Sequence, residues 1–142
     1  RLLEECNERS VATTVVYNAV IKAWGMCPDR KVAARKVRGV LGTMMKRFRD
    51  DGDERAAPDI VTFNSILAVL AKSADGQGAA EVLGMMEHWG GSVTPDRISY
   101  NCVIDAYARA GEGDIAASIL SRMRRRKVSP NIISYNTVMT AY

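Results

Sequence analysis

Asparagine returns four times at one place in a repeated phrase: Val16-Tyr17-Asn18, Thr62-Phe63-Asn64, Ser99-Tyr100-Asn101 and Ser134-Tyr135-Asn136. A carboxamide offers both donors and an acceptor, so its chemistry is directional hydrogen-bonding recognition. Inside a helix, Asn costs roughly 0.5–0.7 kcal/mol against Ala. Four of them in the same helical place need a reason beyond helix stability. That reason is either an external ligand, or a bond to first-turn backbone or to a neighbouring unit. A second set of polar residues, Asp59, Asp96 and Asn131, follows Pro58, Pro95 and Pro130. Helix N-capping alone explains these three, because Asp and Asn both cap well. Capping and ligand recognition are also compatible.

The elements that must carry these side chains repeat with them. The Asn-to-Asn steps are 46, 37 and 35 residues. An aliphatic residue lies two before each aromatic (Val15, Val61, Ile98, Ile133), and an aliphatic pair lies three and four after it (Val20/Ile21, Ile66/Leu67, Val103/Ile104, Val138/Met139). A large apolar residue follows at seven (Trp24, Leu70, Tyr107, Tyr142). Aromatic, pair and seventh residue form one helical stripe. The spacing predicts first helices over about 14–26, 61–73, 98–110 and 133–142. Second stripes follow, with Val40-Leu41, Val82-Leu83 and Ile119-Leu120 standing before Met44, Met86 and Met123. In unit three the second helix is predicted over about 114–126. Self-similarity at tens of residues marks a solenoid, so the expected fold is an all-α α-solenoid of helix-turn-helix repeats.

The units divide as 14–59, 60–96, 97–131 and 132–142, with 1–13 as the end of a preceding repeat, in which Leu2 to Val11 closes a second helix. Unit two has a two-residue excess at Trp89-Gly90-Gly91-Ser92. Unit one is longer. Four extra residues are expected before its second helix, near Cys27-Pro28-Asp29-Arg30, and seven after it. Residues 46–57 are polar and read as an exposed loop. Arg1 is not Met and Tyr142 falls inside a repeated phrase, so the chain is expected to be a fragment of a larger protein, able to self-associate through exposed repeat ends.

The composition of this 142-residue chain is ordinary for a globular protein, 47% hydrophobic and 25% charged. No apolar run approaches bilayer-spanning length. A net charge of +4 permits a polyanionic partner without demanding one. Cys6, Cys27 and Cys102 are scattered and contain no Cys-x-x-Cys pair, and His88 is the single histidine. Neither a metal site nor a catalytic constellation is expected, and no cofactor.

The phrases Val61-Thr62-Phe63-Asn64-Ser65-Ile66-Leu67, Ile98-Ser99-Tyr100-Asn101-Cys102-Val103-Ile104 and Ile133-Ser134-Tyr135-Asn136-Thr137-Val138-Met139, with the endings Val93-Thr94-Pro95-Asp96 and Val128-Ser129-Pro130-Asn131, resemble pentatricopeptide repeats. Unit one matches at Val15-Val16-Tyr17-Asn18 and departs in its insertions. The tetratricopeptide repeat has a similar period, but its Trp-Leu-Gly-Tyr signature is missing here. The resemblance implies a right-handed superhelix that binds single-stranded RNA, one base per repeat. It pairs Asn18 with Asp59, Asn64 with Asp96 and Asn101 with Asn131 as base readers, Asn136 being the fourth. It makes Val15, Val61, Ile98 and Ile133 the residues that pack against bases. Asn with Asp implies U, and Asn with Asn implies C, so the implied preference is U-U-C read 5′ to 3′ from the N-terminus. It further implies mitochondrial or plastid localisation and a role in RNA processing, stability or translation. Two rivals stand beside this reading: a protein-interaction scaffold using the same groove, and a repeat region attached to an enzyme domain outside the chain.

Four lesser signals remain. Arg122-Met123-Arg124-Arg125-Arg126-Lys127 reads as a solvated outer face, or as a phosphate contact at the groove edge. Asp50, Asp51, Asp53 and Glu54 lack calcium-loop spacing and read as a solvated loop. Gly76-Gln77-Gly78 lacks a third glycine and a preceding strand, so it reads as a turn. His88 reads as a surface residue.

Overall fold

The computed structural model describes residues 13–91 and 93–142. The expected end of a preceding repeat therefore lies, Thr13 apart, outside the described residues, as does Cys6. Among the described residues seven α-helices follow in order: α1 (Thr14–Gly25), α2 (Arg30–Arg49), α3 (Ile60–Lys72), α4 (Gly76–Trp89), α5 (Arg97–Arg109), α6 (Gly113–Arg125) and α7 (Ile132–Thr140). A 3₁₀ turn, Glu54–Ala56, stands between α2 and α3. The only β pairing among the described residues is one isolated bridge, Gly90 with Val93. No helix among the described residues is long and apolar enough to cross a membrane.

The odd-numbered helices pack on one another in sequence, α1 on α3, α3 on α5 and α5 on α7. Each second helix packs between two consecutive first helices: α2 against α1 and α3, α4 against α3 and α5, α6 against α5 and α7. The protein is an all-α solenoid. Its core is the predicted stripe. Tyr17, Phe63 and Tyr100 are fully buried, with Ile21, Ile66, Leu67, Val103 and Ile104 beside them. The methionines Met44, Met86 and Met123 close the core from the second helices. In α7 the same stripe is partly open: Val138 is buried, while Tyr135, Met139 and Tyr142 are exposed.

The first-helix bounds fall within two residues of the periodicity. Two loop assignments need correction. The four residues added before Met44 are not a loop at Cys27–Arg30. They lengthen the helix, so that α2 runs 20 residues against 13 in α6. Asp29 caps it by accepting from the backbone N–H of Lys31 and Val32. The 46–57 segment is a loop only from Asp50 onward, and that part is exposed at Asp50, Asp51, Gly52, Glu54 and Arg55 but packed at Ala56. Lys46 to Arg49 complete α2. Phe48 lies 5.5 Å from the Trp89 ring of α4, and Arg49 sits over that ring at 5.2 Å. Arg47 donates to the Tyr17 hydroxyl at 2.8 Å and to Asp53 at 2.5 Å. Asp53 also accepts from the backbone and side chain of Arg55, so its carboxylate is an internal fastener, while Asp50, Asp51 and Glu54 are exposed. Ala56 is fully buried, and Thr14 Oγ1 donates to the Ala57 carbonyl at 2.7 Å. Polar composition hid a packed insertion.

Gly76-Gln77-Gly78 is also not the turn. It is the first turn of α4, capped by Asp75, whose carboxylate accepts from the Gly78 N–H at 2.9 Å. Gly76 is glycine because of its neighbour: a Cβ there would lie 2.4 Å from the Tyr107 ring. The basic run at the end of α6 is only partly solvated. Arg122 and Arg126 reach back to Glu87 of α4 at 2.6 and 2.8 Å, and that carboxylate is only 2% exposed. The Tyr100 hydroxyl donates to the same Glu87. A buried carboxylate needs such partners, and two guanidiniums and a phenol supply them. Arg124, Arg125 and Lys127 remain exposed.

Candidate RNA-reading face

Each first helix from α3 onward opens with the same local geometry. The cap residue is extended, and its side chain accepts from the N–H three residues on: Thr62 for Asp59, Ser99 for Asp96 and Ser134 for Asn131, at 2.8, 3.0 and 3.1 Å. The hydroxyl at that third position returns the bond by accepting from the N–H of Asp59, Asp96 or Asn131, each at 3.1 Å. Capping by these residues, expected from their type, is present at all three junctions. All three hydroxyl residues are fully buried.

The hydroxyl has one proton left to give, and it goes backwards along the solenoid. Thr62 Oγ1 donates to Asn18 Oδ1 at 2.6 Å, Ser99 Oγ to Asn64 Oδ1 at 2.6 Å, and Ser134 Oγ to Asn101 Oδ1 at 2.5 Å. The carboxamide of each unit is thereby oriented by the cap of the next. Its nitrogen then faces the cap side chain across a longer contact: Asn18 Nδ2 to Asp59 Oδ1 at 3.3 Å, Asn64 to Asp96 at 3.3 Å, and Asn101 to Asn131 at 3.5 Å. The three pairs expected from sequence are thus brought together, and the bond of each Asn to its neighbouring unit is present as well. Short oxygen bonds and long nitrogen contacts mean that the oxygen is held and the nitrogen is loosely engaged.

What remains uncommitted is set by this arrangement. In every pair Oδ1 of the cap residue is occupied by the helix terminus. Asp59 and Asp96 keep Oδ2, an acceptor, with no hydrogen bond among the described residues. Asn131 keeps Nδ2, a donor, in the same place. Asn18, Asn64 and Asn101 each keep one side-chain N–H. These edges are partly buried, as a recognition site requires. Asn136 differs, since it is exposed and its side chain makes no hydrogen bond among the described residues.

The aliphatic residue three before each Asn is exposed: Val15 by 77%, Val61 by 47%, Ile98 by 59% and Ile133 by 62%. One apolar side chain per unit therefore stands in the open, at the same position each time. Intramolecular packing does not account for them, and a flat ligand between successive units would cover them. Beside Asn101, burial pushes the Cys102 thiol up to about 11, with the Asp105 and Asp96 charges adding to it. That thiol is a packing group and not a nucleophile. Among the described residues no cluster of three His, Cys, Asp or Glu converges as a metal site would.

Thr62, Ser99 and Ser134 are the residues that sequence reasoning missed. They stand in the repeated phrase, but their partner lies more than 30 residues earlier. Only recurrence of a hydroxyl before each aromatic could have pointed to them.

Comparison with known proteins accords with this fold. A model described as "PPR repeat family" matches residues 95–142, and one described as "Pentatricopeptide repeat domain" matches residues 48–108. Among solved structures, the pentatricopeptide repeat protein PPR10 from maize superposes with a TM-score of 0.70 at 22% identity, over 99% of this chain and 18% of that one. PPR10 in complex with an 18-nt psaJ RNA element superposes with a TM-score of 0.72 at 23% identity, over 99% of this chain and 19% of that one. A cysteine-to-serine variant of PPR10 with the same RNA element gives the same values. No curated protein sequence matches. The chain spans under a fifth of the length of these structural neighbours, and at this identity the likeness is one of fold.

Proposed function

Since this chain belongs to the pentatricopeptide-repeat family, we propose that it binds single-stranded RNA, one base per unit, with the pairs Asn18/Asp59, Asn64/Asp96 and Asn101/Asn131 as readers. The observation that carries the reading is the threefold recurrence of a carboxamide clamped by the next unit's hydroxyl, beside a cap residue with one uncommitted atom. PPR10, which has the same fold, is known in complex with RNA. Val15, Val61, Ile98 and Ile133 pack against the bases, and Asn136 begins a fourth reading position.

The base preference follows from the uncommitted atom of the cap residue. An Asp Oδ2 can only accept, and the Watson–Crick edge of uracil presents an N3–H donor to it. An Asn Nδ2 donates, and cytosine N3 is an acceptor. Units one and two therefore select U and unit three selects C, giving U-U-C. The remaining N–H of each Asn serves a base carbonyl. The chain acts by binding, and its biological outcome in this reading is organellar RNA processing, stability or translation.

The test is Asn131→Asp. Both residues cap equally well, so the melting temperature should stay within a degree or two. The preference at the third position should invert from C to U. Base-edge contacts are worth about 1–3 kcal/mol of discrimination where well formed, and a short array should give the lower part of that range. RNAs differing at that one base are titrated at matched salt. An equal loss on both RNAs, or no change on either, removes base reading by Asn131. A protein scaffold would show no preference among homopolymers.

A further inference from the structure

α2 carries eight basic residues, Arg30, Lys31, Arg35, Lys36, Arg38, Lys46, Arg47 and Arg49, and no acidic one. The whole chain is only +4, so the rest of the molecule taken together is net negative. At 3.6 residues per turn, Lys31, Arg35, Arg38, Lys46 and Arg49 fall along one stripe. All five are exposed. The stripe lies opposite Ala33, Val37, Val40, Leu41 and Met44, which face α1 and α3. It thus looks away from the Asn carboxamides. Arg38 is paired with Glu81 at 2.9 Å, and Arg49 rests on Trp89. Among the described residues Lys31, Arg35 and Lys46 have no carboxylate within ion-pair distance.

Helix stability accounts for Lys46 and Arg49, which stand in the last turn, but not for the N-terminal half of the stripe. Arg30 and Lys31 occupy the first turn, at the positive end of the macrodipole, where cations are unfavourable. Gly39 and Gly42 sit at the middle of the same face. Helical glycine costs about 1 kcal/mol against Ala, yet a Cβ at either position would meet nothing within 4 Å. Internal packing does not ask for them, and they leave the centre of the stripe bare between cations. A concavity of about 450 Å³ adjoins Lys31, Arg35 and Arg38 at one end, with Asp75 in its wall. Another, of about 800 Å³, adjoins Thr43, Lys46 and Arg55 at the other, with Asp51 and Asp53.

We propose that this stripe is a second RNA-binding surface, which takes the phosphate backbone of RNA flanking the base-read segment without regard to sequence. The inference rests on the RNA-binding reading above. RNA is favoured over a protein partner because no large apolar side chain is exposed on α2. A protein interface needs an apolar centre, whereas phosphates need only cations and donors. From Lys31 to Lys46 the stripe is about 22 Å long at 1.5 Å per residue, enough for several phosphates.

The test is the triple variant Lys31→Gln, Arg35→Gln, Lys46→Gln, which leaves the Arg38 pair and the Arg49 stack in place. Binding of U-U-C alone and of U-U-C with oligoadenylate flanks is measured across a salt series. Each lost phosphate contact removes about 0.7 from the slope of log K against log salt for a single strand. The slope on flanked RNA should therefore fall by up to about 2, with at least a tenfold loss of affinity at low salt. The short RNA should bind nearly as before, and the melting curve should be unchanged. Parent and variant binding flanked RNA with equal affinity and slope would overturn the proposal while leaving base selection standing. A lowered slope in a protein that shows no U/C preference would keep the stripe and remove base reading. Polyglutamate bound by the parent and released by the variant, with RNA affinity unchanged, would assign the stripe to an acidic protein and overturn the proposal.

Discussion

At the scale of single residues, the decisive groups are three hydroxyls. Thr62, Ser99 and Ser134 each accept from a cap N–H and donate to the carboxamide of the unit before. Thr62→Val keeps the size and the buried methyl but leaves Asn18 Oδ1 and the Asp59 N–H without their partner. Loss of a buried hydrogen-bonding group costs about 1–3 kcal/mol, so the denaturation midpoint should drop accordingly. Selectivity at the first RNA position should fall, with the second and third unaffected. An unchanged midpoint would mean that the bridge does no holding. The Asn and Asp residues are legible in the sequence because they recur and because helix propensity leaves Asn unexplained. The hydroxyls are not, because Ser and Thr in a first turn have an ordinary local explanation. Their second bond crosses to a unit 33 to 44 residues away.

At the scale of elements, periodicity locates the helices to within a residue or two, since apolar spacing and capping act locally. It fails on the insertion of unit one, where polarity stands in for exposure. Lys46 to Arg55 is mostly charged, but Arg47 and Arg55 both pair with Asp53 and its one aromatic docks on α4. Phe48 and Trp89 lie 41 positions apart, which no local pattern reveals. Phe48→Ala should therefore lower stability by about 1–2 kcal/mol, less than for a fully buried Phe because this one is half-buried. Chemical denaturation followed by helical signal measures it. No loss would restore the description of the segment as an exposed loop.

At the scale of the whole molecule, fold class is legible because a solenoid repeats its pattern with each unit. Its response to pH is not, since that depends on what burial surrounds. The Cys102 thiol is pushed up to about 11, from an ordinary value of 9.0, chiefly by burial. Burial also raises the Tyr100 and Tyr107 phenols above their ordinary 10.0, with the Glu87 charge acting further on Tyr100 and Glu112 on Tyr107. In each case the folded state holds its proton more tightly than the unfolded chain. Their contribution is intact below the unfolded values and is lost as pH climbs through the folded ones. The melting temperature should thus be level up to about pH 9 and fall from there towards pH 11. Cys102→Ala should shift the onset of that fall towards the tyrosine range. A flat profile to pH 11 would refute the assignment.

The hydroxyl bridge also makes the solenoid a ruler. On the RNA-binding reading proposed above, the bond that aims a carboxamide at its base is the same bond that fastens one unit to the next, so the distance between reading positions is graduated by the protein and not by what it reads. A strand whose natural step differs from that graduation must itself stretch or compress. The misfit grows with every further unit engaged, so length and accuracy are in tension. On that reading relief falls at a unit of different dimensions, and the first unit, with its 20-residue α2, is the one that differs.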